Sequence, residues 1–358
     1  MHESIRSALL NKVEDIHFGG PTMAPVLDAI RAHGEPGVRE SLPLDAPAVS
    51  QGGPLEALGE HACLAASQIS LESLLWIAVH TLRVGFITPE AVLPVYERIA
   101  DGWLRGKARL LGRTAPAAQI DSVAEAAATP LVLQRGRIPE GLPPLLWRVV
   151  GQQVDPATIT PTIAAFGGTY GDELKAACAR AIRQFPEQAA IAAEPWPPRV
   201  NIDSLAGCAP DTLGHAYYHL IVDNGFDPEV LDPDSVTGFH PGVDGTNRRI
   251  LQQHELWHLV AGYSTSPLHE SAISSFQLAQ FGHNYSAIFL ATAITQILFS
   301  APIFLDPFLQ VTAEAWRHGR ATRPMMRIDW EAQWHKSIVA IRTEHGIRPF
   351  ESIIPDML

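Results

Sequence analysis

Residues 254–270 read HELWHLVAGYSTSPLHE, and the reading of this stretch decides the fold. A helix through its first part puts His254 and His258 one turn apart, about 6 Å along the axis, with both imidazoles on one face. Two neutral imidazoles at that spacing can share one metal ion, and a carboxylate is the usual third ligand. On an unbroken helix Glu270 would lie about 18 Å beyond His258, out of reach. Gly262 can end the first helix, however, and Pro267 suits the first turn of a second. A tight turn through Tyr263–Ser266 then folds the second helix back and sets Glu270 opposite the histidines. The expected unit is a metal site on a helix-turn-helix: His254, His258 and Glu270 as ligands, with Glu255 as a fourth ligand or an acid/base.

The HExxH pattern also occurs in zinc metalloproteases, where the glutamate activates a metal-bound water. No third histidine follows at the metzincin spacing, and Glu270 comes sooner than the third ligand of most glutamate zincins. A zinc hydrolase is therefore the weaker reading. His269 and His283 are read as exposed or capping histidines, His269 being turned about 100° from Glu270 on a helix. The glycines at 167–171 lack the lysine and the preceding strand of a phosphate loop, and Gly102 to Lys107 fails its spacing. Trp316, Trp330 and Trp334 read as core anchors.

Outward from this stretch the chain reads as helix after helix. Thr88-Pro89-Glu90 is a helix start, with a hydroxyl cap and an early proline and acid. The apolar run from Val92 to Leu104 has i, i+3, i+4 spacing and stops near Gly112. Leu55 to Val84 is another apolar-periodic stretch. Asp211 can cap a helix from Thr212 to Asp223, ended by Asn224-Gly225. Runs of alternating β-branched residues with hairpin turns are missing, so the fold class is all-α. Loops or breaks are expected at 35–53, 194–199 and 226–246. Tyr285 to Leu305 is apolar and long enough to span a bilayer, but Thr292, Thr295 and Gln296 suit a protein interior better. It is expected to be a buried helix and turn lining an apolar tunnel.

The 358 residues are 46% hydrophobic and 18% charged, the composition of a folded chain. Lys+Arg is 26 against 38 Asp+Glu, a formal charge of −12. That argues against nucleic acid as a partner, since phosphate binding needs a basic face. Only Lys12, Lys107, Lys175 and Lys336 are lysines; the other basic residues are arginine, which suggests a GC-rich bacterial genome. Cys63, Cys178 and Cys208 form no CxxC pair, and the amino terminus has no apolar signal segment. The expected location is a bacterial cytoplasm, peripheral to the inner membrane.

Beyond the HExxH stretch, several motifs are shared with one family. The sequence resembles the coenzyme Q biosynthesis protein 4 family, whose signature is HDxxH followed after eleven residues by Glu. Asp211-Thr-Leu-Gly214-His-Ala-Tyr217 is similar to the family's TLGxxY helix start, and Asn224-Gly-Phe-Asp-Pro228 to the turn after it. Trp316-Arg-His-Gly319-Arg320, Asp329-Trp-Glu-Ala-Gln-Trp334, Arg342 and Gly346-Ile347 follow its carboxy-terminal pattern. The resemblance covers about 195–348 and reaches faintly back to 140. Two departures stand out. Glu255 replaces the family's aspartate, and residues 1–135 are an additional amino-terminal helical region of unknown role before a family-like domain at 136–350.

The resemblance implies a metal-dependent oxidative decarboxylase of ubiquinone biosynthesis. Such an enzyme removes the ring carboxylate at C1 of a polyprenylated hydroxybenzoate-derived precursor and puts hydroxyl in its place. In that setting Glu255 and Glu270 are the expected catalytic residues, beside a divalent metal: zinc first, iron or manganese as alternatives. A non-catalytic lipid-binding scaffold for other quinone-biosynthesis enzymes is the rival reading. The expected partners are the prenylated aromatic substrate, those enzymes, a peripheral membrane contact and further copies in a homo-oligomer.

Overall fold

The computed structural model describes residues 1–14, 23–34, 71–114, 135–151, 162–163, 165–185, 200–226 and 241–356. Among these, twelve α-helices and no strand are found, so the protein is all-α. The helices are α1 (Glu3–Glu14), α2 (Ala24–His33), α3 (Leu71–Phe86), α4 (Val92–Leu110), α5 (Leu142–Gly151) and α6 (Asp172–Ile182). They continue with α7 (Leu213–Asn224), α8 (Pro241–Ala261), α9 (Pro267–Phe281), α10 (Asn284–Ser300), α11 (Leu305–Ala321) and α12 (Ile338–His345). The expected loops at 35–53 and 194–199 lie outside the described residues, as do Cys63, residues 55–70 and residues 227–240.

Two apolar clusters organise the chain. The first joins α1–α6 to the inner faces of α10 and α11, running from Ile5 and Leu9 to Leu298 and Trp316. Within it the described helices of 1–135 share a core with later ones. Gly85 on α3 permits close approach of α10, since a Cβ there would stand 3.3 Å from Ile288 Cγ1. Trp103 Nε1 on α4 donates to Gln310 Oε1 on α11 at 3.0 Å, so its ring is buried with its polar atom satisfied. The second cluster gathers α7, α8, α9 and the carboxy-terminal segment around Trp257, Phe276 and Trp330.

Among the described helices, α9 and α11 share the most extensive contact. Gly319 makes this crossing possible: a Cβ would meet the Phe276 carbonyl oxygen at 2.7 Å and Ala279 Cβ at 2.8 Å. Trp316 and Trp330 are buried as expected, whereas Trp334 is only partly buried and stacks on Tyr217 at 5.5 Å.

Two helix starts differ from the sequence reading or refine it. Thr88-Pro89-Glu90 opens a short 3-10 turn, Pro89–Ala91, before α4, and the Thr88 hydroxyl caps nothing. It points back to the Arg83 carbonyl at 3.5 Å instead, because Thr88 N–H and Ile87 N–H already close the end of α3 on that oxygen. The cap of α7 is Thr212 rather than Asp211; its Oγ1 accepts from His215 N–H. The next two amides, of Leu213 and Gly214, donate to the carbonyls of Lys336 and Trp334, which fixes the start one residue later. The stops at Gly112 and Gly225 are as read, both with φ above +60°. Helix α10 is buried against α3, α5 and α9, with Thr292 and Thr295 inside. No helix among the described residues is long and apolar enough to cross a membrane.

Candidate metal centre

Gly262, with φ +82°, ends α8, and its N–H and that of Tyr263 both close on the His258 carbonyl. The open carbonyls of Leu259 and Val260 accept from Nη2 and Nε of Arg342, at 3.1 and 2.8 Å. The turn then delivers Ser266, whose Oγ accepts from His269 N–H and donates to Asp356 at 2.6 Å, to the start of α9 with Pro267 in the first turn. Trp257, fully buried, meets Phe276 and Phe281 edge-on at 5.6 and 5.9 Å and locks α8 against α9.

This packing brings His254, His258 and Glu270 together, with one ligand atom from each inside a 4.8 Å group. The two Nε2 atoms are 3.1 Å apart; His254 Nε2 is 3.3 Å from Glu270 Oε2, and His258 Nε2 is 3.3 Å from Oε1. Tetrahedral ligands at zinc bond lengths stand about 3.3–3.4 Å apart, so the separations fit a shared divalent ion. The outer nitrogens support the same geometry. His258 Nδ1–H donates to the Ser264 carbonyl at 2.9 Å, which leaves Nε2 free to ligate. His258 is closed off at 1% exposure, while Glu270 is 38% exposed, so the site opens over the carboxylate.

The electrostatics of the metal-free centre are set by its carboxylate, which draws positive charge to the histidines. Burial disfavours charge on His254, but the hydrogen bond to Glu270 and the charges of Glu255 and Glu270 outweigh it and raise its pKa to about 9. Burial would raise Glu270; hydrogen bonds from His254 and His258 overcome this and hold it far below the usual carboxylate range. The centre thus keeps an anionic carboxylate and attracts positive charge.

Glu255 falls outside this three-residue group, on a different face of α8. Its Oε2 is buried with no hydrogen-bond partner, and its charge raises the buried Tyr217 hydroxyl further. His269 holds the turn, its Nδ1 accepting from Ser264 N–H at 2.9 Å and standing 3.7 Å from Asp356. His283 is buried, not exposed, and its Nδ1 is 3.0 Å from Ser286 Oγ, because the α9–α10 junction is packed over it. Sequence reading missed Ser264 and Gln277. Gln277, 2.7 Å from His254 Nδ1, comes seven residues after Glu270, a spacing that marks the same helix face.

Fold and site together define an all-α protein with a two-histidine, one-carboxylate centre built on a helix-turn-helix. The family model described as coenzyme Q (ubiquinone) biosynthesis protein Coq4 matches residues 162–351, and the chain belongs to that family. Among its relatives, the mitochondrial ubiquinone biosynthesis protein COQ4 of Coprinopsis cinerea is 22% identical over 41% of this chain and 50% of that protein. The mitochondrial COQ4 homolog of Drosophila melanogaster is 27% identical over 52% of this chain and 69% of that one. A solved chain from Nostoc punctiforme aligns with a TM-score of 0.47 and 19% identity, over 57% of this chain and 95% of its own. The chain spans about half the length of the first curated relatives it matches. These relatives are named as mitochondrial, which overturns the expectation of a bacterial cytoplasm. The bacterial part of that expectation came from arginine bias, a property of genome base composition, and the cytoplasmic part from cysteine usage and the lack of an apolar signal segment; none of these names a compartment.

Proposed function

We propose that this chain acts in ubiquinone biosynthesis as a metal-dependent oxidative decarboxylase, with zinc as the first candidate metal. Its substrate is a polyprenylated hydroxybenzoate-derived ring acid, and its reaction exchanges the C1 carboxylate for hydroxyl with release of CO2. That exchange is a two-electron oxidation, so molecular oxygen or a partner hydroxylase supplies the oxidant. The observation that carries the reading is the convergence of His254, His258 and Glu270 at tetrahedral spacing, open on the Glu270 side. Family membership supplies the pathway.

A bound divalent ion would supply a fixed positive charge that binds the substrate carboxylate and stabilises charge at C1 as the C–C bond breaks. His258 would hold such an ion from the closed side, and Glu270 from the open side. Glu255, with a buried carboxylate oxygen that has no partner, is the group available to take or give a proton beside the centre.

The test is complementation of a cell that cannot perform the C1 step, with quinone measured by mass spectrometry. The intact chain restores quinone and a Glu270→Ala variant does not. Rescue by that variant sinks the enzymatic reading and favours a scaffold.

A further inference from the structure

Gln277 is not part of the three-ligand group, yet it is 3% exposed and placed directly behind it. Its carboxamide nitrogen Nε2 is placed 2.7 Å from Nδ1 of His254, while Nε2 of that ring is turned to His258 and Glu270. On the far side the carboxamide oxygen Oε1 is placed 3.5 Å from Ser286 Oγ, which is itself 3.0 Å from Nδ1 of His283. All three side chains are buried, and together they run from the metal centre into the junction of α9 and α10.

An imidazole nitrogen can ligate a metal only while the ring's proton sits on the other nitrogen. For His254 to ligate through Nε2, Nδ1 must carry the proton and needs an acceptor. The two ends of a carboxamide are alike in size, and only the oxygen accepts. As placed, with Gln277 Nε2 toward the ring, the amide donates to Nδ1 and leaves the proton on Nε2, facing Glu270; turning the carboxamide over exchanges its two ends without moving any other atom. With Oε1 toward the ring, the chain closes in one direction. Nδ1–H of His254 donates to Gln277, the amide donates to Ser286 Oγ, and the Ser286 hydroxyl donates to His283 Nδ1. Each donor along this line then has an acceptor, as a buried polar chain requires.

We infer that Gln277 is a positioning residue of the metal centre: its carbonyl oxygen fixes the Nε2-binding form of His254, and Ser286 with His283 fixes the carboxamide. This rests on the metal reading proposed above. It also gives His254 the same support that the Ser264 carbonyl gives His258.

The test uses the full chain, stripped of metal and titrated with zinc against a competing chelator, with Co2+ absorption as a second readout. Gln277→Met, close in volume but without an acceptor, weakens zinc binding about 10–100-fold. Gln277→Glu retains an oxygen acceptor, keeps wild-type affinity and preserves the Co2+ spectrum. Ser286→Ala loosens the carboxamide, weakens zinc binding less than Gln277→Met, and carries the test if that variant does not fold. Wild-type affinity in both Gln277→Met and Ser286→Ala overturns this inference alone. So does equal loss in the Met and Glu variants, which makes packing rather than the acceptor responsible. Failure of the unaltered chain to bind zinc or Co2+ overturns the metal reading and this inference with it.

Discussion

His258 Nδ1 lies 2.9 Å from the carbonyl oxygen of Ser264, so the turn that reverses the chain also fixes a histidine of the helix before it. The turn depends on Gly262. Its φ of +82° is strained for any side chain, and a Cβ there would come within 3.0 Å of Pro349 and 3.2 Å of Phe350 N. Gly262→Val is expected to cost about 2 kcal/mol or more in chemical denaturation, through backbone strain and crowding. It should weaken metal binding too, because Ser264 and Glu270 both move with the turn. Unchanged stability and affinity in this variant would contradict that coupling.

His258 is the most enclosed of the three candidate ligands, so solvent cannot stand in for it. Purified His258→Ala should retain almost no metal in elemental analysis, while its helical circular dichroism stays near that of the unaltered chain. Full retention would remove His258 from the ligand set.

The helix-turn-helix was legible because its signals are local. The i, i+4 histidines, the glycine at the end of α8 and the proline at the start of α9 each act within one turn of themselves. What escaped depends on distant segments. Thr212 rather than Asp211 caps α7 because Lys336 and Trp334, over a hundred residues away, accept the next amides. The buried state of His283 follows from α9–α10 packing, and Arg342 reaches the end of α8 across 82 residues. Gln277 was the exception: its seven-residue spacing from Glu270 was visible, but glutamine alone suggests no chemistry.

Two buried histidines and the half-buried His318 set an acid limb for stability. Burial, helped by the charges of Arg83 and Lys12, pushes His80 down to about 3. Burial and the charge on His254 push His283 to about 3, and burial pushes His318 to about 4 against its bond to the Arg348 carbonyl. The unfolded chain binds these protons near the ordinary histidine value of about 6.5, so the unfolded state gains protons first as pH falls. Their contribution to stability is therefore full above that value and declines toward pH 4, whereas His254, raised to about 9, adds stability that is present below about 6.5 and lost as pH rises toward 9. Urea midpoints of the metal-free protein should fall steadily over this window, and His318→Gln should flatten the decline by about one proton. A midpoint independent of pH between 6.5 and 4.5 would contradict it.

The described helices of residues 1–135 cover the apolar faces of α10 and α11, and the contacts between them are specific. Tyr96 stacks on Trp316 at 5.5 Å, and Trp103 donates to Gln310. Two ion pairs join α4 to α11: Glu97 with Arg320 at 2.9 Å, and Lys107 with Asp306 at 2.7 Å. Removing this layer would expose Ile288, Ala291, Leu298, Phe308 and Trp316 to water. Each large apolar side chain so uncovered forfeits about 1.5–3 kcal/mol of burial. A chain beginning at residue 136 should therefore aggregate, or bind a hydrophobic dye and melt without cooperativity. Trp103→Ala in the full chain should cost about 3–5 kcal/mol, since it empties a large buried volume and strands the Gln310 side chain. The candidate metal ligands lie on α8 and α9, beside residues of the second apolar cluster, so that variant should still bind zinc while it remains folded. A soluble, cooperatively melting chain from residue 136 with wild-type zinc affinity would show the amino-terminal layer to be dispensable to the fold.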